Sequence, residues 1–110
     1  MKVLFICNQN KHRSKTAEEL FKHEFETKSA GLYNLRPVNV DQLLWADVIM
    51  VMEDAQRTEI ARRFPETYFK KRIVSLDIPD VYSYQQSELV KLLKSQVRKA
   101  MRQIAPELHL

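Results

Sequence analysis

One cysteine, Cys7, is all that the 110 residues contain, so no internal disulfide can form and the thiol is free. A reducing compartment, and with it the cytoplasm, is the default expectation. No long apolar stretch opens the chain. The run "MKVLFIC" is too short for a secretory leader and far too short to span a membrane, so a soluble protein is expected. Internal repeats and linker-like segments are absent too, and 110 residues suit one hydrophobic core, hence a single domain over 1–110. His23 and His109 have no helical pairing and no carboxylate at ligand spacing, so neither a metal site nor a cofactor is expected. The net charge of +4 suits an anionic partner but is too small to demand nucleic acid.

What the chain does have is alternating periodicity. Val3, Leu4, Phe5 and Ile6 form a continuous apolar run, the mark of a strand buried on both faces of a parallel sheet. From Thr16 the spacing of Ala17, Leu20, Phe21 and Phe25 predicts an amphipathic helix of about three turns. A short strand is expected over 27–32, ending near Gly31, the only glycine. "DVIMVM" (47–52) and "RIVSL" (72–76) read as further buried strands. Between them a helix over 53–64 stops at Pro65, and a long helix over about 87–105 is closed by Pro106. Strand and helix alternate throughout, which predicts a three-layer α/β/α domain on a short parallel sheet. Trp45 reads as core or as a helix end under the sheet.

In open sheets of this kind ligands bind beyond the carboxyl ends of the strands. Cys7 stands at such an end, and Arg13 at the first turn of the following helix. The loop between them, Asn8, Gln9, Asn10, Lys11 and His12, can curl so that its N–H groups and the helix dipole form an anion cradle. Arg13 can grip two phosphate oxygens with its planar fork. The same amides and charge favour a thiolate at Cys7, to which Ser14 can donate a hydrogen bond. A thiolate facing a bound phosphate is set up for covalent catalysis. Such chemistry also needs an acid, and later a base. Asp80 is the first candidate, in a loop stiffened by Pro79 and close to the ring of Tyr82; Asp77 and Glu53 are the others.

At these residues the sequence resembles the low-molecular-weight protein tyrosine phosphatase family. "VLFICNQNKHRSKTAEELF" resembles that family's first strand, phosphate loop and first helix; "SAG", "ADVIMVME" and "IPDVY" resemble its second strand, third strand and acid loop. The resemblance implies a four-stranded parallel sheet flanked by helices. It makes Cys7 the nucleophile, Arg13 the phosphate clamp, Ser14 the thiolate's partner and Asp80 the acid and base. Tyr82 lines the entrance, Asn10 orders the loop, and a phosphorylated protein or small phosphoester is the substrate. The chain departs from the family at Gln9, where glycine is usual for its backbone freedom, and at His12, often a second cysteine. Val81 replaces a proline, and only fifteen residues separate Gly31 from Asp47, a stretch that normally carries one wall of the cleft.

Other readings carry less weight. A non-catalytic phosphate- or phosphopeptide-binding module would need the cradle but not Cys7, Ser14 and Asp80 together. Arsenate reduction on the same fold calls for further cysteines to pass on oxidation equivalents. Lys91, Lys94, Arg98 and Arg102 could form a nucleic-acid stripe, but they read as the solvated face of the last helix.

Overall fold

A computed structural model describes residues 1–104; Pro106 and His109 lie outside the described residues. Four parallel strands run in the order β2–β1–β3–β4: β1 (Lys2–Cys7), β2 (Glu26–Gly31), β3 (Val48–Val51) and β4 (Arg72–Ser75). The central pair is where the apolar runs stand. Val3, Leu4, Phe5 and Ile6 are fully buried, and burying each such side chain is worth about 1.5–3 kcal/mol.

Their alternation divides the core into two layers. On one face Val3, Phe5, Met50 and Met52 meet Ala17 and Phe21 of α1 (Arg13–Phe21). Leu89, Leu93, Val97 and Met101 of α5 (Ser87–Ile104) complete that layer. On the other, Leu4, Ile6, Ile49 and Val51 meet Leu43 of α2 (Val40–Trp45) and Ile60 of α3 (Asp54–Arg63). The three-layer α/β/α expectation holds. Among the described residues no helix is long and apolar enough to cross a membrane.

The boundaries differ from the expected ones for identifiable reasons. Helix α1 starts at Arg13 rather than Thr16 because the His12 carbonyl accepts both the Thr16 amide at 2.9 Å and the Thr16 hydroxyl at 2.7 Å. Its first turn is polar and so carries no apolar signal. The helix ends at Phe21, and Phe25 packs on the core from the following turn, 6.2 Å from the Phe21 ring. Pro65 ends α3 as expected but also opens α4 (Pro65–Lys70), with proline at the helix start where its missing N–H costs nothing. Helix α2 is held by a capping box between Asn39 and Gln42. Trp45 closes it, half-buried, with the Lys28 ammonium 4.5 Å above its ring.

Candidate active site

Beyond the C-terminal end of β1 the chain must leave the sheet and turn into α1 within five residues, 8–12. Hydrogen bonds to the neighbouring β2 connection fix its path. The Leu32 amide reaches the carbonyls of Cys7 (3.1 Å) and Asn8 (3.0 Å), and the Tyr33 amide reaches Asn8 (2.9 Å). Gly31 makes this approach possible: a Cβ there would stand 3.0 Å from the backbone N of Asn10 and 2.9 Å from Asn34 Nδ2. The left-handed residue of the loop is Asn10, with φ 54°. Asparagine tolerates that region better than most side chains. Gln9, where glycine's freedom was expected to be needed, has no positive φ, so its side chain adds no backbone strain.

Four side chains, Asn8, Asn10, Ser14 and Gln56, brace the loop from behind without lining the cavity in front of it. Ser14 Oγ lies 2.9 Å from Cys7 Sγ and donates to Asn10 Oδ1 at 2.7 Å. Asn8 accepts from Gln56 Nε2 at 3.0 Å. Gln56 is a buried polar residue that the sequence reading missed. Its Oε1 caps the amides of Met52 (2.8 Å) and Glu53 (3.1 Å), tying the end of β3 to the loop. The Glu53–Gln56 spacing is that of a capping box, a signal legible in "EDAQ".

Arg13 is 1% exposed, which for a guanidinium demands compensation on every side. Its Nη1 donates to Glu53 and, at 2.7 Å, to the Ile78 carbonyl; Asp80 Oδ1 lies 3.6 Å from Nε. Nη1 is occupied and Nε faces the Asp80 carboxylate, while Nη2 has no hydrogen bond to the described residues. Glu53, one of the candidate acids, is thus the partner that holds Arg13.

In front of the loop opens a cavity of about 470 Å³, lined by Cys7, Gln9, Lys11, His12, Arg13, Asp80, Val81, Tyr82 and Ser83. Cys7 is 3% exposed. The acid loop is pinned to α1 by the Gln85 amide, which donates to Thr16 Oγ1 at 2.9 Å. Asp77 does not reach this cavity. It lines a different depression with Ser75, Gln96 and Lys99, its φ at 56° turning the chain away from β4. Among the described residues no cluster of histidine, cysteine and carboxylate side chains could hold a metal ion.

On the other side of Gln9 and Lys11, the loop after β2 carries Tyr33, Asn34, Leu35 and Arg36. Arg63 fixes it from below. Its Nη1 donates to the Leu32 carbonyl at 2.6 Å, and its guanidinium lies 5.0 Å from the centre of the Tyr33 ring. Arg63 is in turn held by Glu59 at 2.6 Å, whose carboxyl is lowered to about 2 by hydrogen bonds from Arg62 and Arg63.

No protein-family model matches the sequence, and no curated protein matches it. Solved structures do match. A tyrosine phosphatase from Erwinia amylovora, AmsI, superposes with a TM-score of 0.74 at 20% identity, over 89% of this chain and 89% of that one. A low-molecular-weight protein tyrosine phosphatase from T. tengcongensis gives 0.73 at 17% identity, over 94% and 99%. The arginine phosphatase YwlE, as a cysteine-to-serine mutant with a phosphorylated active-site serine, gives 0.71 at 21% identity, over 93% and 96%. The fold of this chain is that of the low-molecular-weight protein tyrosine phosphatases.

Proposed function

We propose that the protein is a phosphomonoesterase that works through a phosphocysteine on Cys7. The observation that carries the reading is the cavity itself: the sulfur, braced at 2.9 Å by Ser14, shares it with the Arg13 guanidinium and the Asp80 carboxylate. A binding module would not need a nucleophile there.

The chemistry follows from hydrogen bookkeeping. Ser14 has one hydroxyl hydrogen, donated to Asn10 while the thiol is neutral; the thiol then donates to Ser14. When the thiol ionises, Ser14 turns its hydrogen to the sulfur, and a half-turn of the Asn10 amide lets Nδ2 donate to Ser14. The loop amides and the Arg13 guanidinium grip the phosphoryl oxygens, whose charge grows as the bond to the leaving oxygen breaks. The sulfur attacks phosphorus, and Asp80 in its protonated form gives the leaving oxygen its hydrogen. Water then attacks the phosphocysteine, Asp80 takes its proton, and the sulfur departs as thiolate. The matching arginine phosphatase with phosphate on a serine in place of cysteine supports a covalent step at this position. This scheme uses no metal or cofactor, and a thiol that must stay reduced to act suits the cytoplasm.

Both tyrosine and arginine phosphatases share the fold, so the walls must decide the substrate. Tyr82 offers a ring against which an aryl group can pack. Lys11 and His12 line the same cavity, and Lys11 repels the cationic guanidinium of phosphoarginine. Protein phosphotyrosine is the reading we favour. A generic aryl phosphate should be hydrolysed in excess chelator, and a phosphotyrosine peptide should be preferred over its phosphoarginine counterpart. Activity that vanishes with chelator and returns with a divalent ion sinks the mechanism. Preference for phosphoarginine sinks the substrate assignment alone.

Gly31→Ala tests the bracing of the loop. Asn34 can swing away from a new methyl group, but the Asn10 backbone cannot. Overpacking of this sort costs about 1–3 kcal/mol, and a displacement near 1 Å can cost about 10²-fold in rate. Thermal unfolding and kcat/KM measured together should show both losses.

A further inference from the structure

Gln9 and Lys11 line two cavities, the one over Cys7 and a second of about 700 Å³ formed with Tyr33, Asn34, Leu35 and Arg36. The two cavities adjoin at Gln9 and Lys11, so a chain that delivers a phosphate to the first passes beside the second. Among the described residues, that second groove is lined by two cations, Lys11 and Arg36, and no acidic side chain. It also presents apolar surface to solvent, Leu35 being 102% and Tyr33 54% exposed. Its floor is stiff. The Tyr33 amide and the Asn34 side chain hydrogen-bond the carbonyls of Asn8 and Gln9, at 2.9 Å and 3.4 Å, and Arg63 lies under the Tyr33 ring.

We infer that this groove docks the segment flanking the phosphoresidue of a phosphopeptide, and that it selects segments carrying acidic residues beside an apolar one. The inference deepens the proposed phosphatase reading and rests on it. A free small phosphoester would fill the first cavity and leave the second unused; a peptide fills both. Carboxylates meet Lys11 and Arg36, and an aliphatic or aromatic side chain covers Leu35 and Tyr33. Charge pairs at a groove of this kind act chiefly on encounter and selectivity, so the effect belongs in kcat/KM.

The test compares three substrates: p-nitrophenyl phosphate, a phosphotyrosine peptide flanked by glutamate and leucine, and the same peptide with lysine for glutamate. The intact chain should favour the acidic peptide by about tenfold or more. Arg36→Glu should remove most of that preference while leaving p-nitrophenyl phosphate within about twofold, because Arg36 does not line the cavity over Cys7. Arg98→Glu, the same charge change on the exposed face of α5, is the control for the overall positive charge. Leu35→Ser should weaken both peptides and spare the small ester. Equal kcat/KM for the two peptides overturns the inference, as does an equal loss in Arg36→Glu and Arg98→Glu. Hydrolysis of the small ester under either result leaves the phosphatase reading standing. Turnover of none of the three brings down that reading, and this inference with it.

Discussion

Cys7→Ser should abolish turnover and leave oxyanion binding intact. Loss of a catalytic nucleophile acts on the scale of about 10⁴–10⁶-fold in kcat, because the groups that remain can still bind, while any phosphoserine that forms has a far poorer leaving atom than a phosphocysteine and is not turned over. A serine hydroxyl attacks only slowly at neutral pH and its alkoxide leaves poorly, and no other side chain on the cavity wall offers a thiolate. The cradle should survive, since the loop is fixed by Asn8, Asn10, Gln56 and Gly31 and not by the sulfur. Titration of the variant with phosphate or vanadate should therefore give a dissociation constant close to that of the unaltered protein. Turnover that persists in Cys7→Ser would remove the phosphocysteine route. A protein that binds the anion and never turns over any ester, with Cys7 present, would be the non-catalytic module.

Asp80→Asn should slow the hydrolysis of phenyl phosphate by about 10²–10⁴-fold and that of p-nitrophenyl phosphate far less. The difference comes from the leaving oxygen, which needs a proton when its phenol is a weak acid and hardly needs one when nitro substitution has acidified it. Asp80 can reach the leaving oxygen because it lines the cavity together with Cys7. Asp77→Asn should show no such leaving-group bias, because Asp77 shares another depression with Ser75 and Lys99. Nor should the fold suffer, since asparagine accepts the φ of 56° that position 77 requires. A plot of rate against leaving-group acidity for both variants decides between them. Should the bias appear in Asp77→Asn and not in Asp80→Asn, the acid lies three residues nearer β4.

The parts of this structure legible in the sequence are those whose cause is local. Four consecutive apolar residues before Cys7 can only be a strand covered on both faces, and the stripe Leu89, Leu93, Val97 and Met101 can only be a helix lying on a core. Cysteine at a strand end, with arginine and serine at the next helix start, marks the end of the sheet where the cavity opens. Helices α2 and α4 leave no such mark, because six residues are too few to show a period. The expected strain at Gln9 is absent for a finer reason: the positive φ belongs to its neighbour, Asn10, and residue type alone does not say which loop position takes it. The pairing of Glu53 with Arg13 spans 40 residues and that of Ile78 with Arg13 spans 65, distances over which no pattern in the chain carries information. The short stretch between Gly31 and Asp47 suggested a missing wall. In the structure the loop after β2 forms a second groove instead.

Those long-range bonds of Arg13 bear on how the chain comes to be active at all. The guanidinium joins three separate strand ends: β1 through its own loop, β3 through Glu53 and β4 through the Ile78 carbonyl. Closing such large loops costs chain entropy before any contact repays it, so these bonds form late in folding. A nascent chain that has paired β1 with β2 and folded α1 already holds Cys7, Asn10 and Ser14, yet its arginine has no partner to set its direction. β4 lies at the sheet edge, so the cation gains its second anchor only when the segment through Ile78 has reached the sheet. Truncated or half-folded copies would therefore display the thiol without the clamp. On the proposed chemistry, the grip on phosphate would then wait on the pairing of β4 with β3.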